Sequence, residues 1–171
     1  MANRFLSIYL RDHLAGSTAG RELVLRALTN SEGTELEPLL ARLTSEIEED
    51  REALLRLMAE LGVRPSRTKN ALAWVAEKAG RLKLNGRIVR ASPLSRLVEL
   101  EGLVLGVTGK QGMWAALEQA GLRPSSVDLA ALRERAEDQR RRIESGRLAI
   151  AAAVLELGTG SRTQPAPDRA P

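Results

Sequence analysis

The polar side chains that interrupt the apolar positions of this sequence are the first candidates for chemistry. The sole histidine, His13, lies in "YLRDHLAGSTAG", and a count of about 100° per residue places it opposite the charged side of its helix. The same count places Asp50 on a leucine seam, turns Glu101 inward, and puts Gln139 in the middle of another seam. We therefore expect a buried polar layer at the centre of the fold, made of His13, Asp50, Glu101 and Gln139.

This layer could serve three purposes. His13 and Asp50 are about equally far from a predicted turn near residue 31 or 32, so an Asp carboxylate could accept a hydrogen bond from the imidazole in a structural network. One imidazole with two carboxylates could instead hold a divalent ion, and a buried His beside a carboxylate could transfer protons. The structural network is the favoured interpretation, because a lone histidine on an apolar face usually has a hydrogen-bonding partner, and the metal site is the alternative.

Other chemical motifs are incomplete. Two acidic groups, Glu46-x-x-Glu49-Asp50 and Glu134-x-x-Glu137-Asp138, have metal-ligand character, but their glutamates are predicted to face solvent. "GVTGKQG", residues 106–112, lacks the Ser or Thr and the preceding strand of a phosphate loop. The chain has no cysteine, which excludes disulfides, thiolate metal sites and a cysteine nucleophile.

Glycines are unusually frequent inside two predicted helices. They occur in "AGSTAG" and at Gly102, Gly106, Gly109 and Gly112, where each costs about 1 kcal/mol relative to alanine. We expect them to allow close packing of helices, against Trp74, Trp114 or Tyr9. The alternative is that they leave room for a ligand or a second subunit.

Helices must position these residues. Aromatic residues make up only 2% of the chain, and four segments show helical periodicity: 5–29, 34–61, 93–119 and 126–157. The connections are short, long and short, and the long one, residues 62–92, is predicted to contain its own helix near 67–80. The sequence thus predicts an all-α fold of two helical hairpins joined by one long crossover.

The two hairpins come into register at an offset of 89 residues, which for example places Asp50 on Gln139. With this repeat and the long crossover, residues 5–157 resemble the ferritin-like superfamily of four-helix bundles. The stretches "WVAEKAGRLKLNGR" and "SPLSRLVELEGL" are also similar to an uncharacterised bacterial family of ferritin-like proteins. The resemblance predicts a ferritin-like domain over 1–157, and the glycine, proline and polar residues of 158–171 predict a disordered tail.

The superfamily resemblance implies a di-iron site with a Glu-x-x-His motif on each of two helices. Neither motif is present, so we expect no intact di-iron site and no cofactor. The expected role is that of a non-enzymatic structural or protein-interaction module, with a degenerate divalent-metal protein as the alternative.

The positive charge is concentrated in the crossover, where 62–92 holds 8 basic residues and 1 acidic residue. These basic residues could form an anion-binding patch, although the preferred interpretation is that they pair with the acidic helix near 46–52. Nucleic acid is disfavoured as a partner because the segment has few aromatic residues on which bases could stack. The patch would consist of Lys69, Lys78, Arg81, Lys83, Arg87 and Arg90. With no secretory signal and no long apolar segment, the sequence predicts a cytoplasmic protein without a membrane partner. A homodimer through one face of the bundle is a candidate assembly, and no other protein partner is assigned.

Overall fold

The computed structural model describes residues 3–65 and 92–155, and over these ranges the chain forms four α-helices and no strand. The all-α prediction is therefore confirmed. The helices are α1 (Arg4–Asn30), α2 (Glu37–Glu60), α3 (Pro93–Gln119) and α4 (Leu129–Leu155). None of them is both long enough and apolar enough to cross a lipid bilayer.

Side-chain caps explain where the helices of the second hairpin begin. The Ser92 hydroxyl accepts a hydrogen bond of 3.1 Å from the backbone N–H of Ser95, as the sequence predicts for an N-cap before proline. The Asp128 carboxylate accepts one of 3.0 Å from the Ala131 N–H. Because Asp128 acts as the cap, α4 begins at residue 129 rather than 126.

Glycine ends α2 at the predicted place. Gly62 has a left-handed φ of +69°, which lets the following Val63 N–H donate to the Met58 carbonyl over 2.8 Å. Val63 is itself buried. The chain therefore turns sharply out of α2 and keeps an apolar contact as it leaves.

Contacts between helices fix their directions. The Arg96 guanidinium donates to the Asn30 carbonyl, 3.2 Å away, so the start of α3 lies beside the end of α1. The Ser125 N–H donates to Glu60 over 2.8 Å, so the approach to α4 lies beside the end of α2. Each helix is thus antiparallel to its two packing neighbours.

The helices occupy the corners of a square. Close packing joins α1 to α2 and to α3, and joins α4 to α3, whereas α4 approaches α2 at only a few places. It follows that α2 and α3 lie on a diagonal and run in the same direction, with Pro65 and Ser92 at opposite ends of the bundle. The helix predicted near 67–80 and the tail over 158–171 fall outside the described residues.

The core is uneven. Residues of α2, α3 and α4 supply most of it, and Leu40, Leu43, Trp114 and Ile143 have no exposed surface. In contrast, the buried residues of α1 are only Leu10, Val24 and Ala27. His13, which the helical count places opposite the charged side of its helix, is therefore half-buried at the edge of this core rather than inside it.

Candidate functional site: an ion-pair cluster beside an apolar groove

The centre of the bundle holds a cluster of charged and polar side chains from three helices. Asp50 of α2, only 3% exposed, accepts hydrogen bonds from Lys110 of α3 and from Arg135 of α4. The Gln139 amide donates to the same carboxylate over 3.0 Å, and its carbonyl accepts from Lys110. We call these four residues the central ion-pair cluster.

The cluster contains two cations for one buried carboxylate. Arg135 binds one Asp50 oxygen and also reaches Glu49 at 2.8 Å near the surface. Lys110 binds the other oxygen, and burial lowers the pKa of its ammonium although Asp50 acts to raise it. Both oxygens of the Asp50 carboxylate therefore have a cationic partner within the protein, as such a deeply buried charge requires.

Of the four residues predicted to form the polar layer, two meet here. Asp50 and Gln139, separated by the 89-residue offset of the two hairpins, are in direct contact. The predicted hydrogen bond between Asp50 and His13 is not made, because Lys110, Arg135 and Gln139 occupy the carboxylate. His13 instead packs edge-on against Tyr9, with ring centroids 4.6 Å apart.

His13 is half-buried on α1. Burial lowers the pKa of its imidazole, and the neighbouring Asp12 opposes that shift only in part. The ring is therefore neutral near neutral pH.

Glu101 lies away from the layer, which corrects the prediction that it faces inward. Its side chain is 46% exposed and forms an ion pair of 3.6 Å with Arg147 of α4. The helical count failed because α3 is apolar on nearly every side between Glu101 and Lys110, so it gave no clear polar face for reference.

Over residues 3–65 and 92–155, no three His, Asp or Glu side chains come together in a way that could hold a metal ion. In particular, His13, Asp50 and Glu101 do not form a set. The donor groups that a di-iron centre requires are thus not assembled in this part of the chain, and the residues do not fit that group.

Glu46 was predicted to face solvent but is mostly covered, with 13% of its side chain exposed. Burial alone would raise the pKa of this carboxyl group, but hydrogen bonds from Arg142 and Arg42 lower it. Glu49, by contrast, is 60% exposed as predicted. The seam between α2 and α4 is therefore closed by arginine pairs as well as by leucines.

A groove opens between α1 and α3 and ends against α2. It encloses about 470 Å³, and most of its wall is apolar, including Leu103, Val107, Met113 and Trp114. We call it the α1–α3 groove. Its polar lining residues are Tyr9, Asp12, His13, Ser17, Asp50, Arg51 and Lys110. The central ion-pair cluster thus borders the groove through Asp50 and Lys110.

Glycines line the α1–α3 groove, and most of them do not serve close helix packing. A Cβ added to Gly16, Gly20, Gly106 or Gly109 would meet no described atom of another element within 4 Å. Gly102 differs, because its Cβ would lie 2.9 Å from a methyl group of Leu23. The expectation of close packing therefore holds at Gly102, while the other four glycines leave space, as the alternative interpretation has it.

Sequence reasoning missed Lys110 and Arg135. Lys110 belongs to "GVTGKQG", and the helical count places it with Arg96 and Glu99 on the charged side of α3. Two signals could have identified it: the offset of 89 residues matches it with Arg21, and it is the only lysine outside the 62–92 crossover. Arg135 lies in residues 133–147 of α4, whose mixture of positive and negative side chains is typical of a solvated face.

The six residues of the predicted anion-binding patch, from Lys69 to Arg90, lie outside the described residues. Comparison of the chain with protein-family models, with curated proteins and with solved structures gives no match to any of them.

Proposed function

We propose that this protein is a non-enzymatic, ferritin-like binding module that has no di-iron centre and binds a small apolar molecule in the α1–α3 groove. Support for the ferritin-like arrangement comes from the helix directions: two antiparallel hairpins, with α2 and α3 parallel on a diagonal, so that the joining segment must connect opposite ends of the bundle. The 89-residue offset between the hairpins is consistent with it.

The proposal includes no metal chemistry because two cations occupy the bundle centre. Lys110 and Arg135 occupy both oxygens of Asp50, the carboxylate best buried for metal binding. A divalent ion would have to displace both and would then face their positive charge. The centre therefore has the chemistry of a structural network.

The groove supports binding. Its volume of about 470 Å³ lies in the range of small-molecule sites, and a mostly apolar wall with a smaller number of polar groups is typical of such sites. Glycine at the four open positions costs helix stability and makes no close contact with another described element, which is consistent with a need for space.

Binding can be tested with an apolar fluorescent dye, displaced by octanol. We expect about one dye molecule per chain. Gly109→Leu should remove binding because Gly109 lines the groove, whereas Gly112→Leu is the matched control, since Gly112 is equally open on the same helix but does not line it. Equal binding by both variants would contradict the groove as the binding site.

Metal content per chain tests the other half of the proposal. Protein produced with iron, manganese and zinc available should carry far less than one ion per chain. Near-stoichiometric metal that disappears in His13→Ala would instead establish the degenerate metal site. The homodimer, the cytoplasmic location and the anion-binding patch remain predictions from the sequence.

A further inference from the structure

We propose that Lys110 is the reactive residue of the α1–α3 groove and forms a Schiff base with an apolar aldehyde bound there. This inference rests on the proposed function, because it requires the groove as a binding site, and it adds the chemical class of the ligand. It follows from the position of Lys110, from the choice of lysine there, and from the charges around it.

Lys110 lies beside Asp50, where the α1–α3 groove meets α2. Its side chain is 17% exposed and lines the groove together with Asp50, and the next turn of α3 supplies the apolar wall through Met113 and Trp114. A molecule with an apolar body and a carbonyl at one end would therefore place its polar group beside the amine.

The residue type matters at this position. Lys110 is the only lysine in residues 3–65 and 92–155. Apart from His13, every other basic residue in these ranges is an arginine. An arginine would pair with Asp50 as Arg135 does, but a guanidinium stays protonated and does not form imines under these conditions. Arg21, at the matching position of the first hairpin, indeed pairs with Glu48 at the surface.

The surrounding charges make the neutral amine accessible. Arg135 also binds Asp50, so the carboxylate keeps one cationic partner when Lys110 loses its proton. Burial lowers the pKa of Lys110 in addition. An amine must be deprotonated to attack a carbonyl, and this environment favours that form more than an exposed site would.

The step is balanced without another reagent. The Lys110 ammonium releases a proton, its nitrogen adds to the aldehyde carbon, and the carbinolamine loses one water molecule as the C=N bond forms. The released proton returns to the imine nitrogen. The resulting iminium carries the same positive charge as the ammonium it replaces, and Asp50 remains beside it as the counterion.

Octanal with borohydride tests the proposal, since hydride reduces the C=N bond to a stable secondary amine. The full chain is incubated near neutral pH, reduced, and mapped by peptide mass spectrometry. Occupancy at Lys110 should exceed that at each of Lys69, Lys78 and Lys83 by about tenfold. Equal or lower occupancy at Lys110 would overturn the proposal.

Variants separate reaction from access. Lys110→Arg keeps a cation for Asp50 and should abolish the adduct while the helical circular dichroism stays unchanged. Gly109→Leu should lower the Lys110 adduct by about fivefold or more by filling the groove, and Gly112→Leu should leave it unchanged. If Lys110→Arg fails to fold, the two glycine variants still test the proposal. Equal amounts of Lys110 adduct in both would show that the aldehyde does not reach Lys110 through the groove.

The proposed function fails in a distinguishable way. Octanol, which has the same apolar chain but no carbonyl, should displace the dye. Displacement by octanol without an octanal adduct at Lys110 would overturn this inference and leave the binding function standing. No displacement and no adduct would overturn both.

Discussion

The seam between α1 and α3 and the seam between α2 and α4 differ in what fills them. Between α2 and α4, Arg142 reaches Glu46 at 2.6 Å, and Gly146 lies so close to Leu36 that an added Cβ would approach its methyl group to 3.2 Å. Between α1 and α3, glycines open onto a cavity of about 470 Å³. Although α1 and α3 approach each other at more places than α2 and α4 do, the α2–α4 seam is closed by charge pairs and leucines, whereas part of the α1–α3 seam is open to the groove.

This difference shows that a glycine within a helix can have either of two structural roles. At Gly146 and Gly102 the missing Cβ lets a leucine from another helix approach, whereas at Gly16 and Gly109 it makes room that no described atom uses. At each of these four positions, glycine in place of alanine lowers helix stability by about 1 kcal/mol. Only the opposing helix decides between packing and space.

The largest effect is expected at the closed seam, in the central ion-pair cluster. Asp50→Asn leaves Lys110 without its buried counterion and should lower the free energy of unfolding by about 3 kcal/mol. Glu49→Gln is the matched control because Glu49 binds the same Arg135 but is exposed, so its loss should be about 0.5 kcal/mol or less. Urea unfolding measures both. A loss for Asp50→Asn as small as the control would show that the cluster is not buried.

The two kinds of glycine should respond differently to alanine. Gly109→Ala should raise the free energy of unfolding by about 1 kcal/mol, since alanine favours the helix and its methyl group meets no described neighbour. Gly102→Ala should gain less, because the Leu23 side chain must turn away from the new methyl group. Thermal unfolding of the two variants measures the difference. A larger gain in stability for Gly102→Ala than for Gly109→Ala would contradict the assignment of Gly102 to close contact and of Gly109 to open space.

His13, on the open seam, should make stability depend on pH. Burial lowers the pKa of the folded imidazole, so as the pH falls through about 6.5 the unfolded chain binds the proton first and stability declines. Asp12 on its own helix, and Asp50, Arg51 and Lys110 across the groove, are the charged groups that line the same space. The NMR titration of this single histidine should have its midpoint below 6.5. His13→Phe should remove the part of the pH dependence between about 7.5 and 5.5, and a dependence that persists would assign it to other groups.

The smallest effect is expected at an exposed cap where α2 ends. Hydrogen bonds from Ser126 and Ser125 lower the pKa of Glu60 to about 2. The ionised Glu60 carboxylate therefore stabilises the fold when the pH is above 4.5, the ordinary pKa of a glutamate. This contribution is lost as the pH falls from 4.5 toward 2. Glu60→Gln should make the acid unfolding curve shallower in that interval. An unchanged curve would show that these hydrogen bonds do not persist in solution.

Periodicity and caps were sufficient to predict the helices. Leucines spaced by three and four residues placed α2 on the core, and Ser92 and Gly62 marked a start and a stop that the structure confirms. These signals are local, since each depends on residues within one or two turns.

The candidate site was harder to predict because its partners come from different helices. Asp50 and Gln139 are found on their seams, but nothing local to residue 110 indicates that a lysine in a glycine-rich stretch reaches Asp50, 60 residues earlier. The error at Glu101 has the same origin: α3 is apolar on most sides, so its rotation is set by α1 and α4 rather than by its own pattern.

The contact between Asp50 and Gln139 has a consequence for symmetry. The offset of 89 residues places Asp50 and Gln139 at matching positions of the two hairpins, and their side chains are hydrogen-bonded. An assembly of two identical hairpins would bring the same side chain from each copy to such a point, and two aspartates there would repel each other. A single chain that carries both hairpins can place an acid on one side and an amide on the other. The acid at the centre of this bundle therefore uses a freedom that two identical hairpins would not have.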